Sequence, residues 1–172
     1  MKKNNFSAID IAKWFLLKNE IEQKSNILDN DDYEVYEGIT HLKLQKLIYF
    51  SQGIYLAYTG KPLFNEKVVA WEHGPVVKEV YDKFKHFKRT DISIHFNDDD
   101  ISKMSDLEEN EKIINVLEYV YRNYGGYTAW QLREMSHIQG GPWQVTVSTK
   151  GMNSEITKET MKKHFERYVK TN

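Results

Sequence analysis

The sequence predicts a mainly α-helical fold of about five helices, with a small two-stranded β element. In several segments, apolar residues recur at the spacing of one buried helix face. Capping residues stand at the start of these segments, and glycine or proline often follows them. The chain has 172 residues, which matches the usual size of one domain, so we expect a single domain over residues 1–172.

The composition narrows the range of functions. The chain has no cysteine, which excludes disulfides, thiolate nucleophiles and cysteine-ligated zinc. Its net charge of −1 is not that of a basic nucleic-acid-binding domain. Phe6 to Leu17 carries Asp10 and Lys13, so it does not predict a signal peptide, and no apolar run reaches the roughly 18 residues of a membrane span. We therefore expect a cytoplasmic protein with no membrane segment.

The first helix is predicted from a capping box. Ser7 and Asp10 are spaced so that each side chain can accept a hydrogen bond from the other residue's backbone N–H. Apolar residues then recur at helical spacing until the pattern fades near Lys24. The segment from Asn26 to Glu37 is acidic and predicts a loop.

The second helix is the most apolar segment of the chain. Thr40 is a suitable N-cap residue, and Gly60 predicts that the helix ends near Tyr58. A helix that is apolar nearly all round is expected to be central. Gly53 in its interior costs about 1 kcal/mol of helix stability relative to alanine, so we expect it to mark a close crossing of two helices.

Two short β segments are expected in the middle of the chain. Val68 to Trp71 is largely apolar, and Ile92 to Phe96 alternates between apolar and polar residues, so the two are expected to pair. Between them, Pro75 suits the first position of a third helix, because that position leaves its N–H unpaired and proline has none. Asn97 to Asp100 predicts a polar turn.

The C-terminal half predicts further helices, each beginning at a capping residue. Ser105 begins one, Thr128 begins a shorter one, and Thr157 caps the last. Val145 to Ser154 predicts a loop between the last two. The last helix is expected to bury Met161, Phe165, Tyr168 and Val169.

Two segments carry a recognisable pattern. Thr40 to Gly53 reads THLKLQKLIYFSQG, and Ala70 to Tyr81 reads AWEHGPVVKEVY. Together they resemble the Panacea-domain family, which includes the SocA-like antitoxins and the phage-associated GepA proteins, and the resemblance runs from about Ile9 to Phe165. It implies the antitoxin half of a toxin–antitoxin pair, or a related phage-defence or mobile-element protein, with a toxin as its protein partner. Some members carry an added DNA-binding segment, which we do not expect here.

Polar positions within these segments supply the candidate partner-binding residues. Lys43 and Lys46 share one face of the second helix, and Gln45 and Gln52 share another. These side chains either contact the partner or form solvated edges, with the lysines paired to loop acids. The full candidate set is Lys43, Gln45, Lys46, Trp71, His73, Gly74 and Pro75.

The segment from Trp71 to Pro75 allows two interpretations. If Pro75 begins a helix, the free N–H groups at that helix end can hold a carboxylate of the partner. Alternatively the segment serves the fold, with Trp71 filling the core and Gly74 adopting an unusual backbone conformation. The second interpretation also applies to Trp143, which follows another Gly-Pro pair.

Metal and catalytic chemistry is weakly indicated. Glu134 and His137 match half of a di-iron site, but the second copy that such a site needs is missing from the sequence. The sequence also lacks the usual zinc-protease, nucleophile-elbow, phosphate-loop and dinucleotide patterns. We therefore expect no metal, no cofactor and no enzymatic activity. An uncharacterised hydrolase is the enzymatic alternative.

The last helix supplies an alternative to protein binding. Lys163, Arg167 and Lys170 lie at successive turns, so they share one side and are the best candidates for contacts with nucleic acid. A solvated face explains them as well, since acidic residues are interspersed and cations are favourable near a helix C-terminus. The sequence thus predicts an antitoxin that neutralises a toxin by direct binding, with a nucleic-acid-binding regulator as the alternative.

Overall fold

The computed structural model describes residues 6–29 and 37–169. Within these ranges the chain forms eight α-helices, one 3₁₀ helix and three β-strands. The α-helices are α1 (Ala8–Asp29), α2 (His41–Thr59), α3 (Lys78–Phe84), α4 (Asp98–Glu108), α5 (Glu111–Tyr124), α6 (Ala129–Ser136), α7 (Pro142–Lys150) and α8 (Lys158–Val169). The strands are β1 (Val68–Trp71), β2 (Gly74–Val77) and β3 (Glu155–Ile156), and the 3₁₀ helix is Lys85–Phe87. The mainly helical class is confirmed, although the expected numbers of helices and strands were too low.

The start of α1 follows the predicted capping box. The backbone N–H of Ser7 donates to Asp10 Oδ2 over 2.8 Å, and the Asp10 N–H donates back to Ser7 Oγ over 3.2 Å. The helix continues to Asp29, so the prediction that it ends near Lys24 is wrong. Neither glycine nor proline interrupts this stretch, and an i,i+4 ion pair between Glu20 and Lys24 supports it. The rest of the predicted acidic loop, residues 30–36, lies outside the described residues.

Helix α2 occupies the centre of the fold, as predicted. Thr40 Oγ1 accepts a hydrogen bond from the Lys43 N–H at its start, and Gly60 ends it with a φ of 73°. Every residue from Lys43 to Leu56 is buried. Because α2 packs against α8, α5, α6, α1 and the sheet, most of the core is built around it.

The crossing predicted at Gly53 is confirmed. A Cβ atom placed on Gly53 would overlap the ring of Phe165 on α8. Phe165 is itself only 3% exposed, and its ring packs on Tyr49 and Phe50. The missing side chain therefore allows α2 and α8 to approach closely.

The sheet differs from the prediction. Strand β1 pairs with β2 in an antiparallel hairpin closed by Glu72 and His73, and it pairs on its other edge with β3. Pro75 lies in β2, so the prediction that it begins a helix is wrong. Residues 92–97 are not in a strand, and this part of the chain contributes one isolated bridge, between Asp91 and Thr40.

Two caps explain why the helices before residue 125 differ from the prediction. Asn97 and Asp100 form a capping box, so the predicted polar turn is the start of α4. Asn110 accepts a hydrogen bond from the Ile113 N–H and begins α5. The helix predicted to begin at Ser105 is thus two shorter helices, and Ser105 lies inside the first of them.

The last three helices are partly as predicted. Thr128 forms a capping box with Gln131 at the start of α6, and Thr157 Oγ1 accepts a hydrogen bond from the Thr160 N–H at the start of α8. The loop predicted from Val145 is wrong, because Pro142 occupies the first turn of α7 and the helix runs to Lys150. In α8, Met161 and Phe165 are buried and Val169 is half-buried, whereas Tyr168 is 58% exposed, contrary to prediction.

Candidate protein-binding site

Gln45 joins α2 to the hairpin. Its side-chain Nε2 donates to the carbonyl of Val77 over 3.2 Å, and its Oε1 accepts from the Val77 N–H over 2.9 Å. The side chain is only 2% exposed. Gln45 therefore hydrogen-bonds the backbone of β2 at its C-terminal end, and the prediction that it lies on a solvated edge is wrong.

Gln52 repeats this arrangement two turns further along α2. Its Nε2 donates to the carbonyl of Phe64 over 2.9 Å, and its Oε1 accepts from the Leu63 N–H over 2.8 Å. Both glutamines are buried with donor and acceptor satisfied, which removes most of the cost of burying an amide. The shared face expected from their spacing is the side of α2 that holds the segment from Leu63 to Val77.

Lys46 lies beneath the hairpin and is fully buried. Its Nζ donates to the carbonyl of Pro75 over 3.1 Å, so α2 and the Trp-Glu-His-Gly-Pro segment are in contact. Burial, followed by the charge of Arg133, lowers the pKa of Lys46 to about 7. Among the described residues, no carboxylate forms an ion pair with Lys46. The expectation that its side chain lies outside the core is therefore wrong.

Lys46 also explains Gly74. This glycine has a φ of 105°, in the region that disfavours other residues, as one interpretation of the sequence expected. A Cβ on Gly74 would lie 2.8 Å from Lys46 Cε and 2.8 Å from Ser136 Oγ. Position 74 thus has no room for a side chain, because the lysine and α6 occupy that space.

Lys43, the other candidate on α2, is 5% exposed. Burial lowers its pKa, while the carboxylates of Glu37 and Asp91 act in the opposite direction. Lys43 therefore lies near the carboxylates of Glu37 and Asp91, close to the start of α2, whereas Lys46 lies against the hairpin.

The hairpin turn presents exposed residues on a well-held base. Glu72 and His73 are exposed, whereas Gly74 and Pro75 are buried within β2. Trp71 is half-buried and its ring meets that of Tyr81 edge to face. Because Gly74 and Pro75 are in a strand, the helix N-terminus proposed to hold a carboxylate does not exist here.

Helix α6 and the start of α7 pack beside this turn. His137 Nδ1 lies 2.7 Å from the Arg133 carbonyl, and Nε2 lies 3.3 Å from the Glu72 carbonyl. The ring also rests against Trp143, with centroids 3.8 Å apart, and Trp143 Nε1 donates to the Trp71 carbonyl over 2.8 Å. Burial is the main cause that lowers the pKa of His137. His137 and Trp143 therefore fix α6 and α7 to the turn, and Trp143 serves the fold.

Helix α6 also carries an exposed tryptophan, about two turns before His137. Trp130 is 60% exposed, and the guanidinium carbon of Arg133 lies 4.6 Å from its ring centroid, a cation–π contact. Arg133 Nη1 donates to Glu134 Oε1 over 2.6 Å, while Arg133 Nε is buried without a hydrogen-bond acceptor among the described residues. We call the group formed by Glu72, His73, Trp130, Arg133, Glu134 and His137 the turn–helix surface.

The sequence interpretation missed Trp130 and Arg133. Their spacing contained the signal, since positions 130, 133, 134 and 137 fall on one side of a helix. What it did not show is that this side borders the hairpin turn, which depends on tertiary packing.

Metal ligation has no support in the part of the chain that the structure describes. No group of three or more histidine, aspartate or glutamate side chains there could hold a metal ion. Glu134 pairs with Arg133, and both ring nitrogens of His137 face carbonyl oxygens.

Among the helices of the described residues, none is both long and apolar enough to cross a bilayer.

The basic candidates on α8 lie away from this surface in sequence. Lys163 and Arg167 are exposed one turn apart, and Lys170 lies outside the described residues. Neighbouring Lys162 approaches Glu166 at 3.9 Å, which mixes the charge of this helix.

Comparison with known proteins places the chain in a family. The family model described as "Antitoxin SocA-like, Panacea domain" matches residues 44–144. Antitoxin SocA from Caulobacter vibrioides (strain NA1000 / CB15N) is 34% identical over 119 residues, which is 67% of this chain and 63% of that protein. The chain thus matches less than two thirds of its curated relative's length, and no solved structure matches it. The chain belongs to the SocA-like family of Panacea-domain antitoxins.

Proposed function

We propose that this protein is an antitoxin that neutralises a partner toxin by direct contact through the turn–helix surface. The observation that carries the role is the match to a relative named as an antitoxin. The family match at residues 44–144 contains the hairpin turn and all of α6. It ends before α8, so the basic residues Lys163 and Arg167 lie outside it.

The turn–helix surface has the make-up of a protein-binding hot spot. Tryptophan and arginine are the residue types that most often dominate binding energy at interfaces, and here Trp130 and Arg133 are stacked on each other. His73 is exposed at the adjoining turn. A partner that covers these residues would bury the ring of Trp130, and the guanidinium of Arg133 would stay beside it.

The base of this surface is held firmly. Lys46 and Gln45 hydrogen-bond the backbone of β2, and His137 contacts the backbone of the turn. A surface that is already ordered loses less conformational entropy on binding, which favours affinity. The buried candidates Gln45, Lys46, Gly74 and Pro75 would then act by supporting the exposed residues, whereas Lys43 lies apart from them, near Glu37 and Asp91.

The proposal is a binding function without catalysis. The buried side chains of Gln45, Lys46, Ser51 and Gln52 hydrogen-bond the protein's own backbone, as a scaffold requires. Neutralisation by covering the toxin and by delivering it to a protease are both compatible with such a surface. A cytoplasmic location and an origin in a phage or mobile element stay predictions.

The nucleic-acid-binding regulator is kept as a second candidate because Lys163 and Arg167 are exposed on one side of α8. Near-neutral net charge disfavours it, since such affinity depends on neutralising several phosphates. A gel shift at physiological salt tests it. Sequence-selective nanomolar binding that disappears after charge reversal at both residues would support the regulator.

Growth rescue tests the antitoxin proposal. The products of short reading frames co-transcribed with this gene are screened for toxicity, and the toxic product is expressed together with the wild-type chain, Trp130→Ala or His73→Ala. We expect the wild type to restore growth and co-purify with the toxin, and both variants to lose most of the rescue while melting normally.

Tyr119→Ala is the matched control, because Tyr119 is an exposed aromatic residue on α5, outside the turn–helix surface. It should rescue growth like the wild type. Full rescue by the double variant Trp130→Ala/His73→Ala would show that the toxin binds elsewhere.

A further inference from the structure

Three basic side chains meet where α6 packs on the hairpin. Lys46 Cε and the His137 ring both lie against Gly74, and Arg133 is close enough that its charge lowers the pKa of both groups. Among the described residues, the carboxylate that pairs with this group is Glu134, through Arg133 alone. Because burial lowers the pKa of His137, the positive charge of the group belongs to Arg133 and to Lys46 in its protonated form.

Arg133 is partly exposed, whereas Lys46 is fully buried. Its side chain is 19% exposed, against 59% for its partner Glu134. A guanidinium has five N–H donors in a planar fork, and here one of them bonds Glu134 while the buried Nε has no acceptor in the described residues. The guanidinium therefore keeps donor capacity that no hydrogen bond among the described residues uses.

We propose that Arg133 binds an aspartate or glutamate side chain of the toxin, with Trp130 as the aromatic wall of the contact; this rests on the proposed function. The planar fork matches a carboxylate, which it can hold by two parallel hydrogen bonds. Lys46, which is close enough to Arg133 for the two charges to interact, adds positive potential in its protonated form without touching the ligand. Glu134, the exposed partner of Arg133, is displaced or shares the guanidinium.

The charges around Arg133 favour a protein ligand over a nucleic acid. Glu72 and Glu134 are both exposed on the same surface and would repel successive phosphates of a nucleic-acid backbone. A single carboxylate meets the same acids but needs only one local pairing, with Arg133. Trp130 beside it offers the apolar area that a protein partner covers and that a phosphate chain does not need.

Affinity measurements with the toxin test this assignment. The full chain and the toxin from the co-transcribed frame are titrated by calorimetry, using wild type, Arg133→Gln and Arg122→Gln. Arg122 is the matched control, because it is an exposed arginine on α5 that also lies near a carboxylate, that of Glu118. We expect Arg133→Gln to raise Kd by about tenfold or more and Arg122→Gln to leave it within about twofold.

A gain of affinity supplies a test that loss of folding cannot imitate. Glu134→Gln removes the competing carboxylate from an exposed position, so it should lower Kd by about two- to fivefold. Weaker binding by Glu134→Gln, or unchanged binding by a folded Arg133→Gln, would overturn the assignment. If the wild type itself fails to bind or rescue, the proposed function fails as well.

Charge exchange identifies the ligand. Arg133→Glu should lose neutralisation, and toxin libraries are then selected for variants that this antitoxin again controls. The inference predicts restoring changes from aspartate or glutamate to lysine or arginine. Restoration only at positions that were never acidic would contradict it.

Discussion

Two sites on α2 solve the problem of burial in different ways. At Gly53 the helix meets α8 so closely that a methyl group would overlap Phe165. At Gln45 and Lys46 polar side chains hydrogen-bond the backbone of the hairpin. The first site gains stability from packing, whereas the second spends part of that stability to hold one loop in a fixed position.

Adjacent residues show the contrast most directly. Lys46 and Leu47 are both fully buried, yet one carries an ammonium group and the other a branched alkyl group. Burying the leucine stabilises the fold by the usual hydrophobic contribution. Burying the lysine charge opposes folding, because the one hydrogen bond to Pro75 does not replace its hydration shell. A buried charge in such a position indicates a role beyond stability.

The largest expected effect comes from the apolar packing of α2. Leu47→Ala should reduce the free energy of unfolding by about 2–5 kcal/mol, through lost burial and the cavity left behind. Urea unfolding followed by circular dichroism measures it. The exposed Ile101→Ala, on α4, is the control and should change stability by less than about 0.5 kcal/mol. A loss below about 1 kcal/mol for Leu47→Ala would show that the centre of α2 is loosely packed.

A smaller effect is expected where α2 crosses α8. Gly53→Ala improves helix propensity by about 1 kcal/mol but forces its methyl group into the ring of Phe165, and overpacking typically costs about 1–3 kcal/mol. We expect net destabilisation, measured by thermal melting. Phe165→Leu should partly restore a Gly53→Ala protein, since it shortens the opposing side chain. Stabilisation by Gly53→Ala alone would contradict the close crossing.

Locally determined features were predictable from the sequence. The caps at Ser7, Thr40 and Thr128 and the helix end at Gly60 depend on residues within one turn of each other, and all four are present. The close crossing at Gly53 was predictable because glycine destabilises a helix interior, so its presence there indicates a structural requirement. These are cases in which the residue type alone limits the possible environments.

Features decided by distant residues were not predictable. Pro75 suits both the first turn of a helix and a strand at the sheet edge, and the pairing of Val68 with Val77 decides for the strand. Lys46 appeared to be a surface residue because lysine usually is one. Only the tertiary structure shows that it lies under Gly74, and that His137 at the end of α6 contacts the same turn.

The smallest expected effect is the pH dependence of the stability cost of burying Lys46. In the unfolded chain Lys46 keeps its proton up to its usual pKa of 10.5, whereas in the folded protein it releases it near 7. Between pH 7 and 10.5 the unfolded state binds more protons at this position than the folded state does. The amount by which Lys46 destabilises the fold therefore decreases as pH rises through this range, and it is constant below about pH 7. Lys46→Met removes this dependence. It should therefore exceed the wild type in stability most at pH 7 and least at pH 9.5, with the difference shrinking by at least about 1 kcal/mol.

Urea unfolding at both pH values measures this difference. His41, Arg133 and His137 are the charged or titratable groups coupled to Lys46, and both histidines have pKa values below 6.5, so they stay neutral over the chosen range. Lys163→Met changes the charge equally at an exposed position and serves as the control. A stability difference independent of pH would mean that Lys46 keeps its proton when buried. The Arg133 site would then carry a second full positive charge, and Lys46→Met should weaken binding of the toxin at pH 9.5 as strongly as at pH 7.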